Sequence, residues 1–319
     1  MARSLGPLAP EAVCGAIPTR DLLEAGVGRR ELAGPLWQRL GHGVRGWYDL
    51  DALDPDVRIQ VTVAQQPPGT VIGGWAALHH QGVPMMDGRT GPGGQQLQPM
   101  LVHVGERGRS RPSTLLDVDR GRLVGTDVVE QNGVLVTTPT AACVAIARRY
   151  GAEEGLVAAD AGARAGLTSR AALQEYVASR RRARSINRAR LMAELVDGRS
   201  ASPPESRFRY VWVVVAGLAV PLVNASVVAA FGVVVGKPDL LDLEAATVGE
   251  YDGEQHRALD HHTADNAREE AFEGMGLIVS RATSLDLWPG RDQLVQRLLR
   301  ANARGLARDR SRDRWGWRP

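Results

Sequence analysis

From Tyr210 to Gly236 the chain carries no charged side chain, and Val, Ala and Gly fill most of the stretch. Such a run is long enough to span a bilayer. Pro221 and Asn224 interrupt it, however, and it leads directly into an acidic segment. The pattern therefore predicts a buried helix over about Pro204–Ala216, a turn, and a strand over about Val223–Ala230, with no membrane span. Two short apolar runs follow. Asp239 sits on the first, and Glu250 and Asp252 sit on the second. Read as strands joined by a turn around Glu244–Thr247, they alternate faces. Glu250 and Asp252 then share a face, as do Lys237 and Asp239 on the partner strand. Carboxylates facing one another across strands repel, and coexist only with a cation or a proton. Oxygen ligands of this kind suit Mg²⁺.

The N-terminal pattern differs. Ile17 to Val27 reads as a short helix with Thr19 as its cap, ending at Gly26. Gly28 to Ala33 starts a second helix that Trp37–Leu40 continues, and Pro35 interrupts it. Gly41 to Tyr48 reads as a Gly-rich hairpin. Helix, tight turn, helix and wing is the plan of a winged helix-turn-helix. In the middle, Val71–Pro84 reads as a helix after a small-residue turn, and Gly88–Gly94 as a loop. Leu101–Gly105 and Val134–Thr137 read as strands. Pro139–Tyr150, Glu153–Ala165 and Ser169–Ser179 read as helices. His79 and His80 have no Cys, His or acid at metal spacing, so a structural role is expected for both.

The expected class is thus α/β (α+β overall). It comprises a winged helix over 1–60, a mixed α/β region over 61–178, a basic and Ser/Pro linker over 179–203, an α/β domain over 204–305, and a basic tail over 306–319. A length of 319 residues suits two or three domains, and an apolar content of 44% suits globular cores. The net charge of +3 conceals uneven placement: Ser179–Arg190 holds six Arg and no acid, and Arg297–Pro319 holds eight Arg against Asp309 and Asp313. Such clusters suit phosphate backbones, or are solvated helix faces. Lys237 is the only Lys in the chain. Cys14 and Cys143 belong to no metal spacing, which together with the lack of a signal-like N-terminus leads to the expectation of a reduced, cytoplasmic protein.

Two resemblances add to this reading. Pro238-Asp239, ten intervening residues, Glu250-Tyr251-Asp252-Gly253 and His256 resemble the PD-(D/E)xK nuclease superfamily, in its very-short-patch-repair-like branch. The likeness continues through Asp265-Asn266-Ala267-Arg268 and Gly276–Arg281, with Ser202–Arg209 as the acidic first helix, and covers about residues 200 to 305. It implies a restriction-endonuclease-like α/β domain. The motif Lys is absent, and Asp252 stands in its place. The resemblance implies Asp239, Glu250 and Asp252 as metal ligands, Glu205 as an extra acid, and His256 as general acid or base. Lys237 would take over from the missing Lys in steadying developing charge.

Thr19-Arg20, Gly26, Arg29-Arg30, Leu32 and Arg45-Gly46-Trp47-Tyr48 resemble the N-terminal domain of AbiEi-family antitoxins, the repressors of type IV toxin–antitoxin systems. This implies that Arg29 and Arg30 enter the major groove of double-stranded DNA and that Arg45 meets phosphate or the minor groove. Two functional readings stay open at this point. One is a DNA-binding regulator of the antitoxin type, with a cognate toxin as partner. The other is a Mg²⁺-dependent DNA endonuclease targeted by its winged helix.

Overall fold

The computed structural model describes residues 15–106, 108–121, 123–180, 182–253 and 268–319. The chain is mixed α/β with several sheets and packs as two units. One unit spans 1–88 and 98–142; the other spans 89–97 and 143–319.

In the first unit, β1 (Ile17–Pro18), α1 (Thr19–Glu24), α2 (Arg29–Leu32), β2 (Trp37–Gly41) and β3 (Val44–Trp47) come first. The strands form an antiparallel sheet of order β1-β3-β2. Leu22, Leu32 and Trp37 form the small core beneath it. Trp37–Leu40, expected to prolong the second helix, is instead strand. Gly34-Pro35 stops α2 after four residues, and Trp37 then packs edge-on against Trp47 with ring centroids 5.4 Å apart. That cross-strand aromatic pair rewards a hairpin where a helix would separate the rings.

Asp54 caps α3 (Pro55–Gln65), accepting from the backbone N–H of Asp56 and Val57. β4 (Val71–Gly73) and α4 (Gly74–His80) follow. The sequence suggested one helix over this stretch. Gly74, at φ +63°, turns the chain from strand to helix, a conformation only glycine adopts without strain. β4 joins β7 (Met100–His103), β8 (Leu116–Asp119), β9 (Val128–Gln131) and β10 (Val134–Thr137) in a five-stranded sheet of order β8-β7-β4-β10-β9.

The second unit holds a small ribbon, β5 (Arg89–Thr90) and β6 (Gln96–Leu97). Then come the C-terminal part of α5 (Pro139–Tyr150), α6 (Ala152–Arg164), α7 (Arg170–Ser179) and α8 (Ile186–Leu195). The expected linker over 179–203 therefore contains a helix. Ile186, Ala189, Met192 and Leu195 recur at helical spacing and are all buried, so this segment is core and not tether. α9 (Pro203–Tyr210) continues into a wide helical turn over Val211–Val215. Among the described residues no helix is long and apolar enough to cross a membrane.

Beyond α9 lie β11 (Leu222–Val223), β12 (Ser226–Val228), β13 (Val234–Gly236), β14 (Leu240–Asp242) and β15 (Thr247–Asp252). After helical residues 268–274, here α10, come β16 (Ile278–Thr283), α11 (Ser284–Leu287), α12 (Arg291–Leu306) and β17 (Gly316–Arg318). One sheet has the order β11-β14-β15-β16, and another has β13-β12-β17. The stretch 306–319 is thus no free tail, because β17 pairs with β12. In the four-stranded sheet only β15 and β16 run parallel. One face packs Leu240 and Ala282 against Phe208 and Trp212 of the α9 segment and Leu294 and Leu298 of α12. The other packs Leu241 and Val248 against Phe272 of α10. Strand alternation assigns every side chain of β14 and β15 to one of these faces.

Candidate functional site

Leu240 lies opposite Gly249, Leu241 opposite Val248, and Asp242 opposite Thr247. Extending that register by one residue sets Asp239 opposite Glu250. Both share the parity of Leu241 and Val248, so both lie on the face covered by α10. Glu250 is next in register with Arg281 on β16, so an acid, an acid and a guanidinium cross three neighbouring chain segments in one row.

Asp239 is half-buried. Its Oδ2 accepts from the Tyr251 backbone N–H at 2.7 Å, and its backbone carbonyl accepts from Asn224 N–H at 3.0 Å. Burial, followed by the nearby carboxylates of Glu205 and Glu250, pushes its carboxyl up to about 7, against the Tyr251 N–H and Arg268. Desolvation and like-charge crowding act here in the same direction.

Glu250 meets a cation. Arg268 Nε lies 3.2 Å from its Oε1, and Arg268 Nη2 donates to its Oε2 at 3.4 Å. Arg268 and Phe272 stand four residues apart on α10, so one helix face carries both the core contact and the guanidinium. The stem of Arg268 passes over Gly236, where a Cβ would come within 2.9 Å of Arg268 Cδ and 2.7 Å of Phe272 Cζ. Glycine at 236 is what lets the guanidinium reach Glu250. The neighbouring Arg281 pairs with Glu269 at 2.7 Å.

Glu205 comes from the first turn of α9. Ser202 caps that helix, accepting from Glu205 N–H at 3.4 Å, and Pro203 occupies its first position, where a missing N–H costs nothing. The Glu205 carboxylate turns back and accepts from Ala201 N–H at 2.8 Å, Ser202 Oγ at 2.9 Å and Asn224 Nδ2 at 3.0 Å. Glu205 is thus held in place while it repels Asp239.

The remaining candidates fall elsewhere. Asp252 is exposed at the end of β15, in register with Thr283. Among the described residues no three His, Cys, Asp or Glu side chains are grouped to hold a metal ion. Of the expected ligands Asp239, Glu250 and Asp252, the first two lie in one cross-strand row, and the third lies at the exposed strand end. Alternation gave Asp252 the right face, but the strand ends there and carries it into solvent. Lys237 is exposed and makes no hydrogen bond or ion pair among the described residues, whereas Arg268 reaches the acids. His256 lies outside the described residues. Arg268 and Asn224 are the residues that sequence reasoning missed in these roles. The spacing of Arg268 and Phe272 was a usable signal for the first; nothing in the sequence marked the second.

In the first unit Arg29 and Arg30 are exposed on α2, with no ion pair among the described residues. Arg45 lies half-buried on β3 between Ile17 and Arg39 in register. Two guanidiniums thus face the same side of the hairpin. The second helix, expected to be continued by Trp37–Leu40 across the break at Pro35, is a single turn. His80 and Gln131 exchange contacts, His80 Nε2 lying 3.0 Å from the Gln131 carbonyl. Among the described residues neither His79 nor His80 joins a group placed to hold a metal.

Two converging carboxylates supply hard oxygen donors, and Mg²⁺ characteristically takes one or two carboxylates and completes its shell with water and substrate phosphates. The donor set of Asp239 and Glu250 fits that chemistry, provided Asp239 is ionised and Arg268 yields Glu250. No protein-family model, no curated protein and no solved structure matches the chain.

Proposed function

We propose that this chain binds double-stranded DNA and cuts its backbone at a Mg²⁺-dependent site built on Asp239 and Glu250. The observation that carries this reading is the pairing of two carboxylates across β14 and β15, with Glu205 close enough to push Asp239 up further. A carboxyl whose charge two neighbouring acids oppose suits a cation-binding site better than a purely structural one. Mg²⁺ held there would supply the Lewis acidity and charge neutralisation that phosphodiester hydrolysis requires. The chain's own residues have three tasks. Asp239 gives up its proton to become a ligand. Glu205, fixed by Asn224 and Ser202, orients a neighbouring polar group. Arg268 swings from Glu250 to meet phosphate oxygen, for which a planar guanidinium is well shaped. Arg29, Arg30 and Arg45 supply the contacts that place the duplex.

A second reading rests on the Arg268–Glu250 pair itself. A guanidinium already answers that carboxylate, which suits a regulator of the antitoxin type whose nuclease-like domain binds DNA or a toxin without cutting. Incubation with supercoiled plasmid in Mg²⁺, Mn²⁺ and EDTA separates the two. We expect nicking by the wild type, none in EDTA, and a loss of at least about 100-fold in Asp239→Ala, the scale set by removing one key electrostatic group. No nicking by the wild type in either metal overturns the endonuclease and leaves the regulator. In that case loss of specific gel-shift affinity in Arg29→Ala/Arg30→Ala tests the regulator directly.

A further inference from the structure

Several arginines of the second unit meet carboxylates. Arg207 lies 2.6 Å from Glu154, Arg291 2.8 Å from Glu153, Arg297 2.8 Å from Asp286, and Arg308 2.8 Å from Asp313. At the C-terminal end of α5 and in the turn leading to α8, Arg148, Arg182, Arg184 and Arg188 meet no carboxylate among the described residues. Two of them, Arg148 and Arg188, hold the backbone of this group. Arg148 Nε donates to the Arg184 carbonyl at 2.8 Å, and Arg188 Nη1 donates to the Arg148 carbonyl at 3.4 Å. Arg190 donates to the neutral Asn187 amide at 2.8 Å. Ser185 takes a left-handed φ of +58° to start α8, a conformation that costs on the order of 1 kcal/mol outside glycine. The turn is thus clamped to the end of α5 with Arg182 and Arg184 exposed at its tip.

Like charges gathered without counter-charge repel. A fold keeps such a cluster at a cost, and a polyanion relieves that cost as its own condensed counterions are released. An apolar or neutral partner gains nothing from it. We propose that this arginine turn is a docking surface for a phosphodiester backbone. It would be a second nucleic-acid contact, carried on the second unit and separate from the Arg29, Arg30 and Arg45 group. The proposal rests on the reading that the chain binds DNA. It does not need the acidic site to cut.

The test uses the full chain in EDTA, so that no cutting occurs, with fluorescence anisotropy on a labelled duplex of fixed sequence across a NaCl series. A matched single strand forms a second arm. Each phosphate neutralised on duplex contributes a slope of roughly −0.9 to log K against log salt, and roughly −0.7 on a single strand. Arg182→Gln/Arg184→Gln should flatten the duplex slope by roughly 1.8, two contacts' worth. Arg310→Gln/Arg312→Gln removes the same charge from side chains that already face Glu244 and Asp309, and should leave the slope unchanged. A larger change on the single strand than on the duplex would assign the turn to single-stranded backbone, still within the proposal. A wild type that binds duplex normally while both variants keep its slope, or lose it equally, overturns the arginine turn alone. A wild type that binds neither nucleic acid overturns the turn and the DNA reading together.

Discussion

Two carboxylates of the second unit, Asp160 and Asp239, are both withdrawn from water, and burial pushes both carboxyls up. Their neighbours act in opposite directions. Asp160, on α6, is 1% exposed and is met by Arg209, itself 2% exposed. It also accepts from Asp197 N–H at 2.8 Å and from Ser206 Oγ at 2.6 Å, and Arg209 donates on to the Leu195 carbonyl. Every polar neighbour there favours the charge. At Asp239 the Tyr251 N–H and Arg268 favour it, while Glu205 and Glu250 oppose it. A buried acid answered by a guanidinium holds α6, α8 and α9 together. An acid crowded by two further acids is answered chiefly by the Tyr251 N–H, and its charge stays costly.

The largest effect expected from this contrast is on stability. Arg209→Ala leaves Asp160 buried without its cation and should cost about 3–5 kcal/mol, read as a lower urea midpoint with an unchanged slope. Asp239→Asn at pH 8 should cost nothing, or stabilise, because it removes a charge the site disfavours. Equal losses in the two variants would break the comparison.

A medium effect comes from pH. Asp239 titrates near 7 in the folded chain, against about 3.9 unfolded. Between those values the folded state binds the extra proton, so this group's contribution to stability is full below about pH 4 and is lost as pH rises to about 7. The stability gap between Asp239→Asn and wild type should therefore widen across that window by up to about 1.4 kcal/mol per pH unit, and stay constant above it. Millimolar Mg²⁺ at pH 8 should raise the wild-type melting temperature and leave Asp239→Asn unmoved, since a ligand stabilises only the state that binds it. A pH-independent gap would place Asp239 in an ordinary solvated setting.

Much of this architecture was legible in the chain, for local reasons. The helices α5 to α7 follow from uninterrupted 3.6-residue periodicity, and the β14–β15 hairpin follows from alternation about a short turn. Alternation also gives the shared face of Asp239 and Glu250. What alternation cannot give is where a strand ends, and so Asp252 was assigned to a cluster that it leaves for solvent. Charge runs misled in two places. The Arg-rich stretch over 179–203 reads as a tether because its arginines mask Ile186, Ala189, Met192 and Leu195, the apolar stripe that buries α8. The tail over 306–319 hid β17 for the same reason. Trp37 fell to tertiary context, because its partner Trp47 lies across a turn that helical periodicity ignores. Asn224 was illegible. Its φ of +50° and its bonds to Glu205 and the Arg199 carbonyl exist only once β11 and α9 are in place.

The smallest effect expected is the one that isolates Glu205. In the folded chain Glu205 is the largest contributor to Asp239's raised pKa after burial itself, ahead of Glu250. It makes no direct hydrogen bond to Asp239; its oxygens are occupied by Ala201 N–H, Ser202 Oγ and Asn224 Nδ2. Its influence is therefore carried through space, by charge alone. Glu205→Gln keeps the shape and removes the charge, so Asp239 should titrate lower, as followed by carboxyl NMR. Burial remains, so it should not return to an exposed value. Stability should change little, because the lost charge-assisted bonds, worth on the order of 1 kcal/mol, are offset by the relief of Asp239. Asn224→Gly keeps the positive φ but removes one of the three hydrogen bonds that hold the Glu205 carboxylate, and should move Asp239 in the same direction by less. An Asp239 titration unmoved by Glu205→Gln would mean that desolvation alone sets it, and the site would then be a pair of carboxylates without a third.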